Sequence, residues 1–148
     1  MVFKVNFFPE TPSPFPAIFF RKIINKSAKI LGGRKKGEIS LILADEKFIR
    51  RLNKKYRKKN KSASILTFVF FENNKFINFQ DPRLLGEIII CPDKARKEAR
   101  QEGVAFRDKI ILLIIHGLLH IIGYTHQNQK QRKKMEAKEE ELLSGLSL

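Results

Sequence analysis

Phe106-Arg-Asp-Lys-Ile110-Ile-Leu-Leu-Ile-Ile115-His116-Gly-Leu-Leu-His120-Ile-Ile122 is apolar nearly all the way round. A helix of that kind must be buried on most sides, so the stretch predicts a central helix with the rest of the domain wrapped about it. It runs on through Gly123-Tyr-Thr into His126, and His116, His120 and His126 are the only three histidines in the chain. His116 and His120 are four apart, one above the other on a single helix face. Gly123 can supply the left-handed residue that ends a helix and so bring His126 back toward the other two. Three neutral imidazoles meeting at one point leave the fourth corner of a tetrahedral Zn²⁺ open to water or substrate.

The alternative, three satisfied core histidines, requires imidazoles to be buried among Leu118, Leu119, Ile121 and Ile122 without partners, which is costly. A structural zinc is normally closed by four protein ligands, and only three are evident, which favours an open position over a structural one. The expectation is one zinc ion per chain, at the end of the central helix.

Working outward, alternation and stop signals divide the remainder into short elements. Val2 to Phe8 reads as a strand stopped by Pro9, and Thr11 to Pro16 as a rigid connector. Ile18 to Leu31 has helical spacing with Gly32-Gly33 as its stop, and Glu38 to Ala44 is a second strand. Asp45 can cap a helix from Glu46 to about Tyr56 with Phe48, Ile49 and Leu52 on its apolar side. Ile65 to Phe71 is a buried-looking strand, residues 72 to 85 a loop, and Gly86 to Cys91 a strand halted by Pro92. Asp93 caps a helix to about Gln101, and Gln127 to Leu143 forms a last one with Met135, Leu142 and Leu143 inward. The order suggests a single α+β (α/β-like) domain over residues 1–148, a small mixed sheet of about four strands packed with about five helices.

The charge is the unusual bulk property. Thirty Lys and Arg face fifteen Asp and Glu, a net charge of +15 with a pI near 10.2. Such an excess suits a polyanion, nucleic acid first and an anionic membrane surface second. The longest apolar run, Ile110 to Ile115, is far short of the roughly 20 residues of a membrane span. Cys91 is the one cysteine, so no intrachain disulfide forms and metal ligation rests on His, carboxylates or water unless Cys91 is recruited. With no signal-peptide pattern at the N-terminus, the expected location is the cytoplasm.

Eight of the twelve positions from Arg50 to Lys61 are basic: Arg50, Arg51, Lys54, Lys55, Arg57, Lys58, Lys59 and Lys61. Tyr56 within the run could stack on a base. Smaller clusters are Arg34-Lys35-Lys36, Lys94/Arg96/Lys97/Arg100 and Lys130/Arg132/Lys133/Lys134. Any one of these reads equally as a solvated basic surface. As phosphate contacts they would give salt-sensitive affinity with little sequence preference, and single-stranded RNA, whose bases can be splayed out, is the better target.

The histidine pattern is H-G-x-x-H-x-x-G-x-x-H. Zinc proteases with H-E-x-x-H-x-x-G-x-x-H share the three His and the Gly, but their general-base glutamate is Gly117 here. Either another residue activates the water, or the metal's lowering of the water pKa suffices. A metalloprotease is therefore a weak reading.

The stretch resembles instead the signature of the YbeY family, bacterial endoribonucleases of ribosomal RNA maturation, H-G-x-L-H-L-x-G-Y-D-H. Leu52-Asn53-Lys-Lys-Tyr56-Arg57-Lys-Lys-Asn60 is similar to that family's L-N-x-x-Y-R-x-K-D, and Ile65-Leu66-Thr67-Phe68 to its V-L-S-F. Gly86-Glu87-Ile88-Ile89-Ile90 stands for G-D-I-x-I, and Ala95 with Glu98 resembles the helix after it. The resemblance runs from about Gly37 to Gly123 and His126. It implies a Zn²⁺ held by His116, His120 and His126, an essential Arg57 facing it, and Arg50, Arg51, Lys54, Lys55, Tyr56, Lys58, Lys59 and Lys61 beside the metal cleft as the RNA-binding run.

A guanidinium is a planar, permanently charged fork suited to a phosphate. The departures are Thr125 for the Asp before the last His, Ser62-Ala63-Ser64 for P-T-D/N, and Asn60 for Asp. They remove carboxylates that could assist proton transfer or orient the metal.

The expected activity is a single-strand-specific, zinc-dependent endoribonuclease of 16S rRNA 3′-end maturation and ribosome quality control. Its partners would be RNA of the small ribosomal subunit and ribosome-associated proteins, with no membrane and no DNA specificity. The rival from another class is a non-enzymatic rRNA- or ribosome-binding assembly factor with a structural zinc.

Overall fold

Period-two alternation assigns the strands their faces. In the computed structural model, which describes residues 2–33, 36–72, 75–76 and 83–146, the elements follow in the order β1 (Val2–Pro9), α1 (Ala17–Leu31), β2 (Lys36–Leu43), α2 (Glu46–Arg57), β3 (Ile65–Val69), β4 (Phe71–Glu72), β5 (Lys75–Phe76), β6 (Leu84–Ile90), α3 (Pro92–Glu102), α4 (Phe106–Ile121) and α5 (Gln129–Gly145). The expected four-stranded mixed sheet with five helices is present, in the order β1-β2-β6-β3. β1, β2 and β6 run parallel, while β3 pairs antiparallel to β6 and forms one edge.

Successive side chains on a strand point to opposite faces, and here the two faces have separate cores. Ile39, Leu41, Leu43, Ile88 and Ile90 join Phe20, Ile23 and Ile24 of α1 and Ile110, Ile114 and Leu118 of α4 in the main cluster. On the other face Leu66, Ile89 and Cys91 meet Ala44 and Ile49 of α2. α4 and α2 therefore lie on opposite sides of the sheet.

α4 is held tight to β6 by two glycines whose missing side chains are what the packing needs. A Cβ on Gly117 would stand 3.1 Å from three carbons of Ile88. One on Gly86 would stand 2.5 Å from the Phe68 carbonyl oxygen and 2.8 Å from Ile121. The position that carries a glutamate in the proteases thus faces the sheet in this chain.

Several expectations need correction. Residues 72 to 85 are not all loop: β4 and β5 form a two-stranded ladder, Phe71 opposite Phe76, and β6 starts at Leu84. Asn73-Asn74 and Asp81-Pro82 lie outside the described residues, as do Arg34 and Lys35. Asp93 does not cap α3, because Pro92 occupies the first helical position and Cys91 the cap. A proline needs no N–H there and is preset for it. Leu143 is 41% exposed, one position past the inward Leu142. Phe48 is 38% exposed, so Ile49 alone supplies the fully buried anchor of α2. α5 starts at Gln129 because the Asn128 side chain accepts from Gln131 N at 2.8 Å.

Candidate metal centre

The last turns of α4 present His116 and His120 on one face, with their Nε2 atoms 3.1 Å apart. Beyond Ile122 the chain reverses at Gly123, whose φ of 114 is unfavourable for any other residue. The reversal is pinned by Gly123 N–H donating to His120 O and Tyr124 N–H to Leu119 O. Thr125 Oγ1 then donates to Gln131 Oε1 at 2.7 Å, tying the loop to α5. His126 follows, with its ring centroid 5.7 Å from that of His116 and 4.8 Å from that of His120.

One nitrogen from each ring lies within 4.8 Å of the other two. Tetrahedral nitrogen ligands at about 2.0–2.1 Å from an ion stand roughly 3.3 Å apart. His116 and His120 already meet that spacing at 3.1 Å, and all three donor atoms, the exposed His126 included, lie within 4.8 Å of one another. The donor set fits a metal ion.

The rings are prepared for that role. Burial, aided by the neighbouring His116 and His126 and by the charge of Arg57, lowers the pKa of His120 to about 4. It is neutral, as a ligand must be, from mildly acidic pH upward. His116 Nδ1 lies 2.8 Å from Glu139 Oε1, and that carboxylate is only 16% exposed. A carboxylate accepts the proton of Nδ1 and leaves the Nε2 lone pair directed at the shared point. Glu139 was not among the expected site residues, yet it had a signal. It stands four after Met135 and three before Leu142, the two buried residues of α5, so helical spacing places a carboxylate on the inward stripe.

Arg57 comes from the other side of the sheet. α2 is capped by Asp45, which accepts from Phe48 N at 2.8 Å, and ends at Lys58 in the left-handed region with φ 55. Buried Asn53 secures the following loop: its carbonyl accepts from Lys59 N and its Nδ2 donates to Lys61 O at 3.0 Å. Arg57 is thereby aimed across the edge strand, where Nη2 donates to Thr67 O at 3.0 Å. A cavity of about 300 Å³ is lined by Arg57, Ile65, Leu66, Thr67, Val69 and the three histidines. Among the described residues no carboxylate lines it, while Glu136 and Glu139 line the adjoining cavity that shares His116 and His126.

The rest of the basic run is not in the cavity. Arg50, Arg51, Lys54, Lys55, Lys58, Lys59 and Lys61 are all exposed, and none is among its lining residues. Tyr56 is 58% exposed, with its ring edge-to-face against Phe68.

Comparison with known proteins identifies the family. The family model described as Endoribonuclease YbeY matches residues 16–147. A protein named Endoribonuclease YbeY from Neorickettsia sennetsu is 37% identical over 114 residues, 77% of this chain and 76% of its own. Its namesake from Staphylococcus epidermidis strain RP62A is 35% identical, covering 75% and 74%. One from Pelotomaculum thermopropionicum is 32% identical, covering 81% and 79%. The solution structure of a Thermotoga maritima protein superposes with a TM-score of 0.60 at 23% identity, covering 95% of this chain and 90% of that one, which supports the fold. By the family match and by these relatives alike, the chain belongs to the endoribonuclease YbeY family.

Proposed function

We propose that this protein is a zinc-dependent endoribonuclease that cuts single-stranded RNA, with residues 1–148 acting as one domain. The substrate in this reading is 16S rRNA at its 3′ end, with a part in ribosome quality control, and the setting is the cytoplasm. One observation carries the proposal: three histidine nitrogens converge in the same cavity as an arginine held across a sheet edge. No helix among the described residues is long and apolar enough to cross a membrane, which is in keeping with a soluble RNA enzyme.

The ion, when bound, supplies Lewis-acid charge to a phosphodiester oxygen and lowers the pKa of a water. His116, His120 and His126 hold it. Arg57 grips the phosphate, its fork kept in place by the Thr67 carbonyl, and stabilises charge that develops there. The exposed lysines and arginines of α2 gather the polyanion through salt-sensitive phosphate contacts.

The lack of a carboxylate among the described residues lining the Arg57 side of the histidines favours one rival. A non-enzymatic assembly factor that binds rRNA or the ribosome through a structural zinc would need no proton acceptor. Thr125, tied to Gln131, offers none. The two readings part in one experiment: purified protein on short single-stranded RNA, with and without chelator. Metal-dependent cleavage supports the nuclease. A chelator that lowers the melting temperature, with no cleavage at high enzyme concentration, supports the rival.

A further inference from the structure

Two backbone hydrogen bonds fix which way every peptide of the edge strand points. Phe70 N–H donates to Leu85 O at 2.7 Å and Cys91 N–H to Ser64 O at 2.9 Å. In an antiparallel ladder, residues bonded to the neighbour alternate with residues that are not. The register pairs Leu66 with Ile89 and Phe68 with Glu87, so Ser64, Leu66, Phe68 and Phe70 turn their peptide groups toward β6. Ile65, Thr67 and Val69 turn theirs outward, and among the described residues no strand pairs with β3 on that side.

The same three residues line the cavity that holds the histidines and Arg57. Along this row of β3 the one partner among the described residues is the Arg57 guanidinium, on the Thr67 carbonyl. The row thus presents three N–H donors, with the Ile65 and Val69 carbonyls between them, to a metal-binding cleft while its central acceptor is already taken. Partly buried donors without acceptors are unfavourable, and a ligand rich in acceptors relieves them.

We propose that the outer row of β3, the N–H groups of Ile65, Thr67 and Val69, is a rail that aligns single-stranded RNA across the histidine cluster. The inference rests on the nuclease reading and gives it a substrate register. An added peptide strand would need donors and acceptors in alternation, and Arg57 stands in its path at Thr67. RNA offers phosphate, 2′-hydroxyl and base-edge acceptors, with the charge that a +15 protein attracts. The base edges are free only in a single strand, and they are the acceptors by which the rail distinguishes single strands from duplexes.

The test is amide hydrogen exchange on the zinc-loaded protein with a single-stranded 2′-O-methyl phosphorothioate oligoribonucleotide, chosen to resist hydrolysis. The amides of Ile65, Thr67 and Val69 should exchange at least about tenfold more slowly with the oligonucleotide bound. Those of Leu66 and Phe68, already in the ladder, should not change. The duplex form and an extended peptide should protect none of the three. Binding of RNA without that protection overturns the rail and leaves the nuclease reading standing, whereas failure to bind RNA overturns both. Protection by peptide or duplex equal to that by the single strand also overturns it.

Val69→Pro provides a second measurement, since it removes one outward N–H at a position that does not hold Arg57. Proline is tolerated on the outer row of an edge strand. KM for single-stranded RNA should rise about tenfold with kcat nearly kept, as expected for loss of a uniform binding contact. An unchanged KM in a folded variant overturns the proposal.

Discussion

The two helices that meet at the cleft are built on opposite terms. Ten of the sixteen residues of α4 are buried, so the positions of His116 and His120 follow from the core itself. Only Ile49 and Asn53 of the twelve residues of α2 are buried. Arg57 depends on a few local ties: the Asn53 bonds, the left-handed Lys58 and the Thr67 carbonyl. The metal half of the site is inherited from packing, and the phosphate half is pinned at the surface. Damage to the first should therefore register as stability, and damage to the second as activity.

Gly117→Glu is the severest way to break the α4 half. It returns the protease residue to the motif, yet that side chain would be driven into Ile88. An uncompensated buried carboxylate costs about 3–5 kcal/mol. Chemical denaturation should show that loss, with no gain of peptide hydrolysis. A stable variant that cleaves casein would contradict the packing account.

Arg57→Ala addresses the other half. Loss of a group that stabilises developing charge costs roughly 10²–10³-fold in kcat. RNA cleavage should fall accordingly while metal content and melting temperature stay near wild type. If metal content falls with activity, the halves are not separable in this way.

Glu139→Ala sharpens the comparison from inside the metal half. Removal of the carboxylate behind a ligating His lowers metal affinity about 10–100-fold. Competitive metal titration should read that loss, and nitrogen NMR of the metal-free protein should show His116 no longer held as the Nδ1–H tautomer. Unchanged affinity would make Glu139 a bystander.

Acidification produces the smallest expected effect. The folded chain holds His120 at about 4, against roughly 6.5 for a free imidazole. Between those values the unfolded chain binds a proton that the folded chain refuses. Stability of metal-free protein should therefore be full above about pH 6.5 and decline as the pH falls toward 4. His120→Ala should flatten part of that slope, and melting curves across the range would show whether it does.

Much of this was legible in the residues. α4 and the histidine cluster could be read because helical spacing and a glycine stop are local signals, and the strands because alternation is. What could not be read is tertiary. Nothing near Arg57 announces that α2 crosses the far face of the sheet and reaches over its rim. Gly117 read as a missing base, whereas its neighbour Ile88, 29 positions earlier in the sequence, makes it a packing position. Glu139 sits 23 residues beyond His116, inside a Glu- and Lys-rich helix where one carboxylate resembles the next. Asp93 lost its expected cap because two start signals stood side by side and the proline took precedence.

An unpaired strand is a template for a neighbouring molecule, and proteins commonly guard such borders with charge. The Arg57 guanidinium lies across the middle of that border, a permanent cation that two copies of the chain would have to bring together in order to zip edge to edge. The group proposed to grip a phosphate is thus also a sentry against self-association when no RNA is bound.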